Sequence, residues 1–399
     1  MNVTITPHTL CGEVTAPPSK SQAHRALICA ALCGDTTEIF CPQTCDDIDA
    51  TTRCLCAMGA EIQNRESSFI VRGISAHRCA ALDCGESAST LRFLLPLVCA
   101  LGIPAEFKLH GSLPTRPMEP LLTLLRQNGV QITQPSPDTL CVSGKLQGQS
   151  FQIAADVSSQ FISGLLLALP LLGGGTVRLV GGPESVSYVR MTIQVMESFG
   201  VHALWNDDTI TVSGSYKTPG YFNVEGDWSA GAFWLAAGPA VHCRNLDTSL
   251  QGDSIAPQLM QEICRGSAVI DARQIPDLVP ILSVYAALHP GTTRIENIGR
   301  LRLKESDRAA AIVDLLAALG GQAICKENTL VIEGQPTLRG GTVSGFGDHR
   351  IVMSAAIASI GCREPVTICG AEAVQKSYPR FWEDFESLGG LVKWEDACD

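Results

Sequence analysis

The sequence contains a helix ending that recurs six times. In each copy an apolar stretch of helical periodicity closes on a glycine, and residues that favour a β-strand follow at once. The glycines of the six endings are Gly59, Gly129, Gly200, Gly266, Gly320 and Gly389. Most of them lie roughly 70 residues apart, as copies of one folded unit would, and the interval before Gly320 is shorter. The copy at Gly266 is the least regular.

Four copies continue into a predicted β-hairpin, in which two short strand-like runs flank a polar turn. These hairpins end at Gly73, Gly144, Gly214 and Gly334. The last copy ends after one strand, and Val3-Thr4-Ile5 is its expected partner. Each copy also has an earlier helix that opens on a polar cluster. We therefore predict an α/β protein of six βαβαββ units, three in each of two domains.

The domain boundaries follow from this assignment of the first strand. One domain is expected to span residues 15–225, and the other residues 1–14 together with 226–399. The chain would cross between them near 13–17 and again near 223–228. If the units are equivalent, three helix N-termini face the same way in each domain, and their free N–H groups create a surface that attracts anions.

Composition and charge limit the functions that the chain can have. The chain has 399 residues, of which 45% are hydrophobic and 17% charged, and its net charge is -11. An acidic surface repels nucleic acid and anionic membranes, so any anionic substrate needs a local basic patch. The longest apolar run, 161–172, is too short to span a bilayer. We expect a cytoplasmic protein whose 17 cysteines are reduced thiols and bind no metal.

Several cations stand where helix stability alone would favour an acid. Lys20, Arg25 and Arg350 lie in the N-terminal part of predicted helices, against the helix dipole. Ser21 and Arg25 are four residues apart and share a helix face, so with Lys20 they offer a hydroxyl, a guanidinium and an ammonium to one polyanion. A solvated, capped helix start is the alternative interpretation.

Two further segments suit close contact with a phosphate or carboxylate. Small residues between Gly85 and Arg92 open a helix, although an ordinary serine cap explains them nearly as well. Arg116 lies between Pro114 and Pro117, which stiffen the backbone and fix the position of its guanidinium. A rigid surface loop without a ligand is the alternative.

The fifth unit combines cations with two candidate catalytic carboxylates. Arg300, Arg302, Lys304 and Arg308 lie within nine residues of an otherwise acidic chain. Glu305 lies among them and could form a plain ion pair with Arg308 on an exposed helix face.

Asp277 follows Ile275-Pro276, where the hairpin of the fourth unit has degenerated. A carboxylate presented at a break in the repeat suits catalysis, whereas a helix-capping aspartate is the alternative.

Taken in order and spacing, the motifs resemble those of the 5-enolpyruvylshikimate-3-phosphate (EPSP) synthase family over nearly the whole chain. The motifs are Pro18-Ser19-Lys20-Ser21 with Arg25, Leu113-Pro114 with Arg116, Ser158-Ser159-Gln160, Lys304-Glu305-Ser306-Asp307-Arg308, Asp348-His349-Arg350 and Lys376. The resemblance implies an inside-out α/β barrel in each domain, with closure of the domains over the substrates. It also implies transfer of the enolpyruvyl group of phosphoenolpyruvate to the 5-hydroxyl of shikimate 3-phosphate, in the biosynthesis of chorismate and aromatic amino acids.

The resemblance also implies which side chains hold each substrate. Those expected at shikimate 3-phosphate are Lys20, Ser21, Arg25, Ser158, Ser159, Ser185, Tyr188, Asp277 and Lys304. Those expected at phosphoenolpyruvate are Lys20, Ala88, Arg116, Gln160, Arg308, Arg350 and Lys376. Asp277, Glu305 and Lys20 would be catalytic, in an addition–elimination through a tetrahedral intermediate that needs no cofactor or metal. A monomer is expected.

The chain departs from the family pattern at two positions. Arg300 stands where many members have Asn, so one contact to shikimate 3-phosphate is expected to be rearranged. Ala88 stands where many have Gly, and its methyl group is expected to weaken binding of the inhibitor glyphosate in the phosphoenolpyruvate pocket.

Two other functions remain as alternatives. A transferase acting on UDP-N-acetylglucosamine shares the fold and the donor, but it typically uses a reactive cysteine and lacks the Pro-Ser-Lys-Ser opening. A non-catalytic repeat protein that binds phosphosugars or RNA would explain the basic residues, but it would not need Asp277 and Glu305.

Overall fold

The computed structural model describes residues 1–75 and 79–395. The α-helices in these residues are α1 (Lys20–Ala31), α2 (Asp46–Ala57), α3 (Ala88–Leu101), α4 (Leu121–Gln127), α5 (Ser159–Ala168), α6 (Val186–Ser198), α7 (Trp228–Ala236), α8 (Ala256–Cys264), α9 (Val279–Ala287), α10 (Arg308–Ala318), α11 (His349–Ala358) and α12 (Phe381–Ser387). Short 3₁₀ segments include Leu113–Thr115, Gly252–Ile255, Gly299–Leu303 and Ala371–Lys376.

The β-strands are short and alternate with these helices along the chain. They are β1 (Asn2–Thr6), β2 (Gly12–Thr15), β3 (Thr37–Phe40), β4 (Glu61–Asn64), β5 (Ser68–Arg72), β6 (Ala80–Asp83), β7 (Ala105–Lys108), β8 (Gln131–Ser136), β9 (Thr139–Ser143), β10 (Ser150–Ala154), β11 (Gly175–Val180), β12 (Val201–Asn206), β13 (Thr209–Gly214), β14 (Tyr221–Asn223), β15 (Val241–Arg244), β16 (Ser267–Asp271), β17 (Gly291–Glu296), β18 (Gln322–Lys326), β19 (Thr329–Gly334), β20 (Gly341–Ser344), β21 (Val366–Cys369) and β22 (Leu391–Glu395).

The chain divides into two packed units. One, the continuous unit, is Pro18–Glu225, and the other, the split unit, is Met1–Pro17 together with the chain from Gly226 onward. The first boundary falls three residues beyond the position expected from the sequence. The reason is that β2 pairs with β15 of the split unit, and Ala16 N donates to Arg244 O at the end of that pairing.

The continuous unit contains three four-stranded sheets of the same design. Their strand orders are β14-β3-β5-β4, β6-β7-β9-β8 and β10-β11-β13-β12. In each sheet the first two strands are parallel and the last two form an antiparallel hairpin. This is the predicted βαβαββ unit, except that β14 comes from the far end of the unit to supply the first strand of the first sheet.

The split unit repeats the design with one defect. Its sheets have the orders β16-β17-β19-β18 and β20-β21-β1-β22, and the remaining pair β2 and β15 has no hairpin in the described residues. Val3 lies opposite Trp394, which confirms the prediction that the first residues complete the last copy. The irregular copy at Gly266 is the one that lacks the hairpin, because β16 already belongs to the next sheet.

The recurring glycines end their helices as the sequence indicated. Gly59, Gly129, Gly200, Gly266, Gly320 and Gly389 all have positive φ, between 77° and 110°. This left-handed conformation is strained for residues with a Cβ atom, and it turns the chain out of the helix into the next strand.

Each unit places its most apolar helices inside. The helix after the first strand of each copy is buried almost all round, as in α3 and α11. A second helix such as α8 buries only one face, formed by Ala256, Leu259, Met260 and Ile263. The sheets pack outside these helices and expose alternate side chains, as in β6 and β10. The six-copy α/β fold expected from the sequence is thereby confirmed.

Candidate functional site

A group of buried charges surrounds Arg308 in the split unit. We call it the Arg308 cluster, and its members are Asp277, Lys304, Glu305, Arg308, Asp348 and Arg350. Arg308 is 1% exposed and binds three carboxylates at once. Its Nη1 donates to Asp277 Oδ1 (2.6 Å), its Nη2 to Glu305 Oε2 (2.7 Å) and its Nε to Asp348 Oδ2 (2.8 Å).

The cluster forms because three buried helices begin next to one another. Arg308 is the first residue of α10, which Asp307 caps through Ala310 N. Asp348 caps α11 by accepting from Arg350 N (3.0 Å), and it also accepts from Ser306 Oγ (3.1 Å). Asp348 therefore connects the two helix starts, a role that the sequence motif alone did not reveal.

Asp277 does not cap a helix. It lies two residues before α9, and the N-cap residue of that helix is Leu278. Asp277 Oδ1 accepts hydrogen bonds from Lys304 Nζ (3.2 Å) and from Arg308. Arg350 Nε lies 3.5 Å from the same oxygen. The alternative interpretation of Asp277 as an ordinary capping residue is therefore wrong.

Three cations control the ionisation of Asp277. Burial alone would raise the pKa of this carboxyl, but Lys304, Arg350 and Arg308 together hold it well below the usual value. Asp277 is accordingly a carboxylate at neutral pH. It can accept a hydrogen bond from a hydroxyl group or, in the course of a reaction, its proton.

The cations of the cluster differ in how firmly they hold their protons. Burial lowers the pKa of Lys304 to about 8, and the attraction of Asp277 only partly opposes this. For Arg308 burial also favours the neutral form, but Asp348, Glu305 and Asp277 outweigh it and raise the pKa. The ion pair between Glu305 and Arg308 is real, but it is buried and not on an exposed helix face.

Two further predicted residues of the split unit lie on 3₁₀ segments. Lys376 is buried at the end of the segment Ala371–Lys376, and the next α-helix, α12, begins at Phe381. Arg300 is half-buried on the segment Gly299–Leu303, and its charge helps to lower the pKa of Lys304.

The irregular fourth copy contributes an acid that the sequence did not single out. Asp253 is 1% exposed, and its Oδ2 accepts a hydrogen bond from Ser229 Oγ at the start of α7. Burial, reinforced by the nearby charge of Asp277, raises the pKa of Asp253 to about 7. The other two copies in the split unit place cations at this position, whereas the fourth copy places a weak acid there.

In the continuous unit Lys20 begins α1, which Ser19 caps through Gln22 N. Lys20 Nζ donates to Asp47 Oδ2 (2.9 Å) at the start of α2, and the two side chains are 17% and 7% exposed. Asp47 was missed in the sequence because acids in a first helical turn are common. Here it holds the ammonium group of a predicted catalytic residue.

Arg25 lies on the same helix and is held by uncharged groups. Its Nε donates to Thr192 Oγ1 (2.7 Å), its Nη1 to Ser21 O (2.5 Å) and its Nη2 to Tyr188 O (3.2 Å) and Ser163 Oγ (3.4 Å). The structure thus brings three of the residues predicted at shikimate 3-phosphate together on α1 and α6.

His24, next to Arg25, belongs to the core. Its Nδ1 forms a hydrogen bond with Thr51 Oγ1 (2.7 Å), and burial, together with the positive charges of Lys20 and Arg25, lowers its pKa to about 3. The imidazole is therefore neutral over the physiological pH range.

Ser158, Ser159 and Gln160 form the start of α5. Ser158 caps the helix by accepting from Gln160 N, and both serines are buried. Ser185, just before α6, is held at φ 53°, a conformation that costs energy for a residue other than glycine and that often marks functional sites.

The helix start of α3 lies next to that of α5. Ser87 caps α3 through Thr90 N, and Ala88, its first residue, is 4% exposed. Gln160 Nε2 donates to Ser89 Oγ (2.8 Å), which joins the two helix starts. Arg116 follows the 3₁₀ segment Leu113–Thr115 in the loop beyond β7.

Most of the predicted site residues of each unit therefore lie at or near the starts of its buried helices, whereas Arg116 lies in a loop and Lys376 on a 3₁₀ segment. Buried cations and helix N–H groups together can bind and orient small anions, and a buried carboxylate can handle a proton. In the part of the chain that the structure describes, no group of His, Cys, Asp and Glu has the arrangement of a metal site. Nor is any described helix both long and apolar enough to cross a membrane.

Comparison with known proteins gives a consistent result. The family model of EPSP synthase (3-phosphoshikimate 1-carboxyvinyltransferase) matches residues 5–385. The chain is 40% identical to the 3-phosphoshikimate 1-carboxyvinyltransferase of Clostridium kluyveri and 38% identical to that of Clostridium acetobutylicum, with 98% of each chain covered in both cases.

Solved structures share the fold. EPSP synthase from Acinetobacter baumannii superposes with a TM-score of 0.78 at 24% identity, covering 98% of this chain and 100% of that one. The enolpyruvyl transferase NikO from Streptomyces tendae superposes with a TM-score of 0.75 at 16% identity, covering 98% of each chain.

Proposed function

Because the chain belongs to the EPSP synthase family, we propose a function that assigns the reaction of that family to the residues described above. The protein is a transferase that moves the enolpyruvyl group of phosphoenolpyruvate to the 5-hydroxyl of shikimate 3-phosphate and releases phosphate. The observation that carries the assignment of residues is the Arg308 cluster, in which Asp277 is ionised among three cations.

Each unit is assigned residues that bind both substrates. In the continuous unit, Lys20, Ser21, Arg25, Ser158, Ser159, Ser185 and Tyr188 bind shikimate 3-phosphate, and Lys20, Ala88, Arg116 and Gln160 bind phosphoenolpyruvate. In the split unit, Asp277 and Lys304 bind shikimate 3-phosphate, and Arg308, Arg350 and Lys376 bind phosphoenolpyruvate. The support is that most of these residues lie at or near buried helix starts within each unit, where the helix N–H groups also favour anions.

The proposed chemistry begins with addition. Asp277 accepts the proton of the 5-hydroxyl as its oxygen attacks the central carbon of phosphoenolpyruvate. Glu305, which takes up a proton from solvent before this step, gives it to the methylene carbon. Loss of phosphate from the resulting tetrahedral intermediate, with loss of a proton from the new methyl group, restores the double bond. Lys20 and the arginines stabilise the negative charge that the two substrates bring together.

Replacement of the two carboxylates tests this assignment. Asp277→Asn and Glu305→Gln are each expected to lower kcat by about 10²- to 10⁴-fold, the usual contribution of a positioned acid or base. Phosphate release is measured with both substrates together and with each alone. Glu333→Gln, a change at an exposed acid of the same unit, is the control and should keep wild-type turnover. Full turnover in both active-site variants would disprove the catalytic assignment.

We further propose that the enzyme acts as a monomer in the cytoplasm and uses no metal or cofactor. The reaction transfers no electrons, and the buried cations supply the positive charge that a metal would otherwise provide. The molar mass measured by light scattering during turnover is expected to equal that of one chain. Turnover that is lost after EDTA treatment and restored by a divalent cation would contradict the proposed independence from metals.

A further inference from the structure

Arg92 is a buried arginine of the continuous unit that none of the assignments above uses. It lies on α3 and is 5% exposed. Its Nη1 donates to Gln160 Oε1 (2.7 Å) on α5, and its Nη2 donates to Pro117 O (2.8 Å). The guanidinium carbon lies 5.1 Å from the centre of the Phe161 ring, over its face.

These contacts join three chain segments that are otherwise far apart in sequence. Each segment carries a residue assigned to phosphoenolpyruvate: Ala88 begins α3, Gln160 lies on α5, and Arg116 immediately precedes Pro117. A guanidinium group is planar and presents its N–H groups in a fixed fork. The separation of Gln160 from the Arg116 loop is therefore set by the geometry of one side chain.

The contact with Gln160 also decides which way its amide faces. Oε1 accepts from Arg92, while Nε2 donates to Ser89 Oγ (2.8 Å) and has a second hydrogen. If the amide turned over, its nitrogen would meet the guanidinium donor and the bond to Arg92 would be lost, whereas the Ser89 hydroxyl can bond to either end of the amide. Arg92 thus fixes Gln160 as a donor on the side of Ser89, the orientation needed to bind an anion.

We propose that Arg92 is a positioning residue for the phosphoenolpyruvate site, which holds the amide of Gln160 and the loop of Arg116 in place. This inference rests on the proposed function. In this proposal Arg92 acts through protein contacts, because each of its terminal nitrogens donates to a protein oxygen. Its effect reaches the substrate through its neighbours.

The first experiment replaces Arg92 by lysine, which keeps the charge and loses the fork. The kcat/KM for phosphoenolpyruvate is expected to fall about tenfold to a hundredfold, the cost of losing hydrogen bonds to a charged group. The Kd of shikimate 3-phosphate, measured by calorimetry without phosphoenolpyruvate, should stay within about twofold of wild type. Arg178→Lys is the matched control, at an exposed arginine of the same unit that pairs with Asp208 (2.9 Å).

The second experiment is a double-mutant cycle with Gln160→Ala. If Arg92 acts through Gln160, the two changes together cost clearly less than the product of their separate effects on kcat/KM. Phe161→Leu, which removes the ring beneath the guanidinium but no charge, should reduce kcat/KM for phosphoenolpyruvate in the same direction. That variant keeps the proposal testable if Arg92→Lys folds poorly.

Two results would overturn the inference. One is an unchanged kcat/KM for phosphoenolpyruvate in folded Arg92→Lys, and the other is an equal loss of affinity for both substrates, which would indicate general distortion. Failure of the proposed function is distinguishable, because the wild-type protein would then show no turnover with the two substrates.

Discussion

Arg308 in the split unit and Arg25 in the continuous unit are both almost completely buried, but their charges are balanced differently. Three carboxylates surround Arg308 and raise its pKa against the effect of burial. Arg25 is held by hydroxyl and carbonyl oxygens, and burial lowers its pKa to about 10. Removal of a compensated cation leaves buried carboxylates unpaired, whereas a cation with neutral partners has its positive charge uncompensated and can offer it to an anionic substrate.

The strongest test of this difference is Arg308→Met. It leaves Asp277, Glu305 and Asp348 without their shared cation, so the free energy of unfolding should fall by about 3–5 kcal/mol. Turnover should also be lost. Chemical denaturation measures the change, and Arg294→Met, at an exposed arginine of β17, serves as the control and should stay within about 0.5 kcal/mol of wild type. A similarly small change for Arg308→Met would contradict the comparison.

The same substitution at Arg25 should separate stability from binding. Arg25→Met leaves only neutral groups behind, and Thr192 Oγ1 already lies 2.8 Å from Ser163 Oγ. The free energy of unfolding should change by less than about 1 kcal/mol. Affinity for shikimate 3-phosphate, measured by calorimetry, should fall by roughly 100-fold, the cost of losing charged hydrogen bonds. If stability fell as much as in Arg308→Met, the two arginines would not differ as described.

A third test uses pH. Because burial lowers the pKa of Lys304 to about 8, its ammonium group is present below pH 8 and is lost above it. The kcat/KM for shikimate 3-phosphate should therefore fall about tenfold per pH unit above that value. Lys304→Arg keeps its charge and should remain flat across the same range. Identical pH profiles for the two proteins would assign the titration to another group.

The smallest expected effect concerns Ala88, where recognition depends on shape. Removal of its methyl group by Ala88→Gly should increase inhibition by glyphosate by up to about tenfold, the range for one methyl group in a tight pocket. The inhibition constant against phosphoenolpyruvate is the measurement. Equal sensitivity of wild type and variant would show that the methyl group does not crowd the inhibitor.

Local features of the sequence predicted much of the fold. Helix-capping residues such as Ser19, Ser87 and Asp348 act within a few residues of their position, and so do the recurring glycines that end helices. Their spacing was sufficient to predict six copies of one unit. Even the displaced strand β1 could be predicted, because the last copy lacked a partner strand.

The partners of the site residues could not be predicted in the same way. Arg25 binds Thr192, which lies 167 residues away, and Arg92 binds Gln160, which lies 68 residues away. Nothing in the local pattern distinguishes Thr192 or Asp47 from other polar residues of amphipathic helices. Such pairs depend on how the copies pack, so the sequence indicated which residues bind but not what holds them.

The position of β1 has a consequence for synthesis of the chain on the ribosome. β1 lies between β21 and β22, and the ammonium group of Met1 pairs with Glu372 (2.8 Å). The strand that is made first therefore cannot find its neighbours until the last segment has emerged, whereas the continuous unit has all its strands by residue 225. We expect nascent chains halted shortly after that point to resist protease over 18–225 and to be cleaved readily within 1–17.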